Sequence, residues 1–123
     1  MERDARPIDD VLIAARTERI ALASITVSEL LVGVERADTL ERRERRSTFV
    51  ETVLHNFVIY PLDLDVARVH ARLSAKLESL GLKIGPYDSI VAATALAHGY
   101  DVLTFNVREF ERVQGLGVLQ PDW

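Results

Sequence analysis

Four polar residues stand where an α/β sheet would present them to a ligand: Glu29, Asp88, Asn106 and Glu109. Glu29 falls in the first turns of a helix that follows the apolar run at 19–24, and Asp88 opens a helix that is apolar nearly all round. Asn106 and Glu109 come directly after a third apolar run at 102–105. In open α/β sheets ligands bind beyond the carboxyl ends of the strands, so these positions converge on one edge. Carboxylates at helix N-termini are stabilised in their charged form, but several brought together repel one another unless a cation joins them. All-oxygen donors favour magnesium or manganese over zinc, and magnesium keeps waters that can attack phosphorus. Each position also has an ordinary structural use. Glu29 and Asp88 can cap or complement a helix dipole, Asn106 can serve as a strand-end turn residue, and Glu109 can be an exposed helical acid. Asp88 weighs most, because the apolar turns behind it enclose its surroundings.

Other chemistries find less support. The absence of cysteine excludes disulfides, thiolate zinc sites and cysteine nucleophiles, and agrees with a reducing compartment. His55, His70 and His98 sit at unrelated helical positions without metal-ligand spacing or a plausible serine partner, and read as structural. No glycine-rich phosphate loop is present. The block Glu41-Arg42-Arg43-Glu44-Arg45-Arg46 can touch phosphates, but its mixed signs read as a solvated helix face laced with i,i+4 pairs. With 15 basic and 19 acidic residues the formal charge is −4, so any nucleic-acid contact must be local rather than carried by bulk positive charge.

The elements that must position these residues follow from periodicity. Residues 7–17 predict a helix entered at Pro7, with Ile8, Val11, Leu12 and Ala15 on one face. A strand at 19–24 leads to a helix capped by Ser24 or Thr26 and carrying Val27, Leu30, Leu31 and Val34. Gly33 inside that pattern costs about 1 kcal/mol relative to alanine, which predicts close packing there or a helix end nearby. A long helix over 38–56 starts at Asp38 or Thr39, and Phe57 to Tyr60 form a short strand stopped by Pro61. The clearest amphipathic helix starts at Asp63 or Asp65, carries Val66, Val69, Leu73, Leu77 and Leu80, and closes at Gly81. A buried helix at 87–98 ends at Gly99. A strand at 102–105, a helical turn at 106–113 and an edge strand at 116–119 complete the chain. Strands separated by helices imply parallel pairing with right-handed crossovers, hence a three-layer α/β fold with a central parallel sheet. At 123 residues one domain, 1–123, is expected. No apolar run approaches the roughly 20 residues of a membrane span, and the charged start lacks a signal peptide's apolar core, so a cytoplasmic protein is expected.

Three segments resemble the VapC toxins of the PIN-domain ribonucleases: Ser24-Ile-Thr-Val-Ser-Glu29-Leu-Leu-Val-Gly33, Ile84-Gly-Pro-Tyr-Asp88-Ser-Ile-Val-Ala-Ala-Thr94-Ala, and Leu103-Thr-Phe-Asn106-Val-Arg-Glu109-Phe-Glu-Arg-Val. Their order and separations match, and the similarity runs from about Ile8 to the C-terminus. The resemblance implies a PIN fold that holds one or two Mg2+ or Mn2+ ions and cleaves single-stranded RNA, often structured RNA such as tRNA. It implies a homodimer silenced by a VapB-type antitoxin whose C-terminal segment fills a groove. Carried over, Glu29 and Asp88 match metal-holding acids, Asn106 stands where many relatives have aspartate, and Glu109 matches an additional acid. Thr104 would assist from the strand end.

One departure concerns the start. Relatives begin with an apolar strand ending in Asp-Thr, whose aspartate is a principal metal ligand, and this first strand has no counterpart before Met1-Glu-Arg-Asp4. Asp4, Asp9 and Asp10 do not follow an apolar strand, so weaker metal affinity and reduced or absent cleavage are expected. A rival reading is a catalytically impaired binding protein that keeps the fold and binds antitoxin or RNA. A phosphoacceptor receiver domain fits less well, since it wants a lysine where this chain has Phe105-Asn106.

Overall fold

A computed structural model describes residues 21–121, so the helix expected at 7–17 lies outside the described residues. The elements run β1 (Ala21–Ala23), α1 (Ser24–Glu35), α2 (Leu40–Asn56), β2 (Val58–Tyr60), α3 (Leu64–Ser79), α4 (Pro86–His98), β3 (Val102–Leu103), α5 (Val107–Phe110) and β4 (Val118–Leu119). They fall into two compact units, divided between Ile59 and Tyr60.

In the first unit the strand runs straight into its helix. Ala23 is the N-cap of α1 and no side chain caps it, so neither Ser24 nor Thr26 plays the expected role; Ser24 is already helical. The next helix start is conventional: Thr39 accepts a hydrogen bond from the Arg42 amide at 3.1 Å, which selects Thr39 over Asp38. Asp38 instead grips the Arg42 guanidinium, and Glu35 grips that of Arg43, as expected of a solvated charged face. The apolar side of α2 buries Val50 and Val53, while α1 buries Val34 and β1 pairs with β2. A Cβ at Gly33 would meet no atom within 4 Å, and α1 ends two residues later. Of the two expectations for that glycine, only the nearby helix end is met.

The second unit is built on two helices. Asp63 caps α3 by accepting from the Val66 amide at 3.0 Å, and the predicted stripe then buries Val66, Leu73 and Leu77 against Ala92, Ala93 and Ala95 of α4. The helix closes as a Schellman turn in which the Leu82 amide returns to the Leu77 carbonyl at 2.9 Å. Gly81 supplies the left-handed residue this turn needs, with φ 69°. Helix α4 begins with Pro86 in its first turn and ends at Gly99. Small residues on its buried face let neighbours approach closely, which is why an alanine-rich helix occupies the core. Strands β3 and β4 pair in parallel, Val102 opposite Val118 and Leu103 opposite Leu119. This pairing and the alternation of strands with helices carry the expected α/β class, although the strands are only two or three residues long. The helical turn expected at 106–113 is the single turn α5, anchored by buried Phe110, with buried Val113 beyond it.

Candidate active site

The first turn of α4 leaves amides without intrahelical partners. No side chain of its own caps it, because the N-cap is Gly85. The missing acceptor arrives from 24 residues away: the Gly85 amide donates to Glu109 Oε1. Glu109 is held there by its neighbour Phe110, which is 3% exposed and belongs to the core cluster. A Cβ on residue 85 would stand 3.3 Å from Glu109 Oε1, so glycine leaves room for that carboxylate.

Asn106 joins the two acids. Its amide nitrogen donates to Glu109 Oε2 at 2.6 Å and lies 3.4 Å from Asp88 Oδ2, so one neutral amide bridges two carboxylates. The aim of Asn106 is set by the strand end. The Thr104 amide still bonds the Leu119 carbonyl at 2.9 Å, while Thr104 Oγ1 accepts from the Asn106 amide at 3.0 Å and turns the chain out of the sheet. The predicted strand therefore ends early, and Phe105 points outward, 65% exposed.

The electrostatics of the two acids differ. Loss of hydration raises the Asp88 pKa, the charge on Glu109 raises it further, and the Asn106 amide opposes both. Glu109 is held below the ordinary glutamate range, chiefly by the Gly85 amide and then by Asn106, with Arg112 adding to the effect. Arg112 also donates to the Lys83 carbonyl, which fixes it beside this turn. Two hard oxygen donors in mutual repulsion, with an amide beside them, suit a divalent cation such as Mg2+ or Mn2+. Among the described residues, no three acids or histidines form a ready-made metal cage.

Asp88, Asn106 and Glu109 are thus brought together within the second unit. Glu29 belongs to the first unit, exposed in the second turn of α1. There it lines a groove of about 440 Å³ between α1 and α2, together with Gly33, Arg42, Arg45, Arg46 and Phe49. Gly85 and Arg112 were not foreseen. The Gly-Pro step before α4 was the available signal for Gly85, and none marked Arg112. His70 meets a serine, its Nε2 lying 3.0 Å from Ser89 Oγ. That hydroxyl donates to the Pro86 carbonyl at 2.7 Å, so it accepts from His70 and keeps its proton turned away from it. The pair ties α3 to the first turn of α4 and is no activated nucleophile. His98, stacked on Tyr60 at 3.8 Å between ring centroids, has the structural role expected of it.

Comparison with known proteins identifies the family and the fold. The PIN domain family matches residues 1–116. Ribonuclease VapC1 of Rickettsia felis is 39% identical over 98 residues, covering 80% of this chain and 73% of that protein. The tRNA(fMet)-specific endonuclease VapC of Salmonella typhimurium is 34% identical over 107 residues, covering 87% and 77%. Among solved structures, DNA-bound VapBC from Salmonella typhimurium superposes with a TM-score of 0.78 at 32% identity, covering 89% of this chain and 83% of that one. VapBC2 from Rickettsia felis, bound to a promoter DNA fragment, gives 0.76 at 28% identity, covering 84% and 75%.

Proposed function

This chain belongs to the PIN-domain family, as a VapC ribonuclease of the VapBC toxin–antitoxin type, and from that membership we propose that it cleaves RNA with Mg2+ or Mn2+ at the first turn of α4. The observation that carries the proposal is the Asp88–Asn106–Glu109 cluster, two acids kept within reach of one amide. When bound, the cation supplies Lewis acidity toward the phosphoryl group and acidifies water for in-line attack. Asp88, poorly hydrated and repelled by Glu109, is the acid that gains most from a cation and serves as its holder. Glu109 stays ionised through the Gly85 amide and, with Asn106, orients water and keeps Asp88 in place. Glu29 is retained as a metal-holding acid on the resemblance of its motif.

An antitoxin of the VapB type is the partner, supported by the VapBC complexes among the solved relatives. A tRNA substrate is supported by the specificity stated for the Salmonella relative. We further assign a homodimer in the cytoplasm. No helix among the described residues is long and apolar enough to cross a membrane. The single PIN domain at 1–123 draws support from one family match that runs through both compact units.

The test is cleavage of a tRNA and mRNA panel by the 123-residue chain with and without Mn2+, with Asp88→Asn as control. Mn2+-dependent products lost in the variant are expected. Products of equal yield from Asp88→Asn would remove Asp88 from the site, and RNA binding without products would favour the impaired binding protein.

A further inference from the structure

An acidic ribonuclease must draw a polyanion to itself by local means, since its net charge is −4. The groove between α1 and α2 offers such means. Arg42, Arg45 and Arg46 line it against the single carboxylate of Glu29, so its lining carries a net positive charge inside a negative protein. Spacings of three and four residues put these arginines on one face of α2.

The guanidiniums are ordered by weak, exchangeable anchors. Arg42 holds Asp38 through both carboxylate oxygens, at 2.7 and 2.9 Å, but the pair is largely exposed and so contributes little to stability. Arg46 Nη1 donates to the Gly33 carbonyl at 2.7 Å and thereby satisfies one of the orphan carbonyls at the end of α1. A guanidinium has five N–H donors in a rigid fork, so a single bond to a carbonyl leaves most of its capacity for a phosphate.

Gly33 is the second observation. Glycine inside a helix is unfavourable, and here no neighbouring atom requires it, because a Cβ would project into open space. Gly33 lines the groove, so what its missing side chain preserves is the opening itself. The volume, about 440 Å³, lies in the range that holds small ligands. Phe49 adds an apolar, aromatic surface of the kind on which a base or ribose rests.

We infer that the α1–α2 groove is a seat for a phosphate and adjoining nucleotide of single-stranded RNA, with Arg42 and Arg46 as phosphate donors and Gly33 as its open floor. The seat rests on the ribonuclease reading above and adds to it a phosphate-holding surface beside Glu29, the acid retained there as metal-holding.

The experiment measures binding of a labelled 2′-O-methyl oligouridine, which resists cleavage, to the full chain in EDTA across a salt series. Thermal melting and Mn2+-dependent cutting of unmodified RNA are followed in parallel. Gly33→Leu fills the groove from a good helix former, so it should melt no lower than the parent yet bind about tenfold more weakly. Arg42→Gln and Arg46→Gln should each lower the slope of log K against log salt by about 0.7. Variants that fold and bind the oligonucleotide like the parent would overturn the seat. In that outcome a parent that still cuts RNA leaves the ribonuclease reading intact. A parent that neither binds nor cuts RNA would end both.

Discussion

At the first turn of α4 two carboxylates crowd around one amide, whereas along α2 the guanidiniums of Arg42, Arg43 and Arg46 are held apart, each by its own anchor. In the first region the like charges are partly stripped of water, and the Asp88 pKa rises as a result. In the second the charges stay in solvent, where high dielectric and entropy make each pair weak and replaceable. The contrast separates two tasks. Crowded acids store repulsion that a cation relieves, while dispersed, loosely paired arginines can exchange an internal carboxylate for an external phosphate.

The sharpest way to break this division is Asp88→Asn. Removing the charged donor should cost cleavage more than the about 10–100-fold typical of an outer partner of a metal site. Metal-free RNA affinity, read by anisotropy, should hold or tighten, because a negative charge has been removed. A parallel loss of metal-free binding would mean that the acids also shape the RNA surface.

Glu109→Gln probes the coupling within the crowded region. Mn2+ affinity by calorimetry should fall about 10–100-fold. Asp88, followed by carboxyl NMR, should titrate at lower pH than in the parent, since one cause of its elevation is gone, yet stay above the ordinary aspartate range because burial is the larger cause. An unmoved Asp88 would show that the two acids do not sense each other.

The parent should show opposite pH linkage at the two acids. Asp88 binds its proton more tightly folded than unfolded, so its contribution to stability falls as pH rises from the ordinary aspartate range through its elevated pKa. Mn2+ affinity should climb over that same window, as the ion competes with the proton. Glu109 contributes stability that is present above the ordinary glutamate range and lost as pH falls through its depressed pKa. Mn2+ affinity that is flat from acidic to neutral pH would contradict the assignment of Asp88.

The smallest effects belong to the solvated helix. Thr39→Ala should lower stability by about 1 kcal/mol in urea unfolding, through loss of the cap at α2. Leu40→Ala, at a side chain 73% exposed, should change it by less than about 0.5 kcal/mol. A larger loss at Leu40 would reveal a partner surface on α2.

Much of the fold was legible because its causes are local. Thr39 and Asp63 as caps, the Val66–Leu73–Leu77 stripe, and Gly81 and Gly99 as helix ends all depend on neighbours within a turn or two. Ser24 and Thr26 misled because a cap needs extended backbone, and that conformation falls one residue earlier, at Ala23. The candidate site was legible as a set of positions. Asp88, Asn106 and Glu109 follow strand ends or open helices, and topology brings such places together.

By itself the sequence determined the class of elements, the family, and the candidate acids with the hard cation they suit. Only the tertiary structure decided who partners whom. Glu109 rather than a local side chain caps Gly85, His70 gives its hydrogen bond to Ser89, and Arg46 closes the end of α1 beside an open Gly33. The physical reason is range: periodicity and capping act over the three or four residues of a helical turn, while charge and hydrogen bonding act over ångströms of space. Nothing in the linear spacing of 24 residues between Gly85 and Glu109 encodes that contact until Phe110 is buried and carries its neighbour into place.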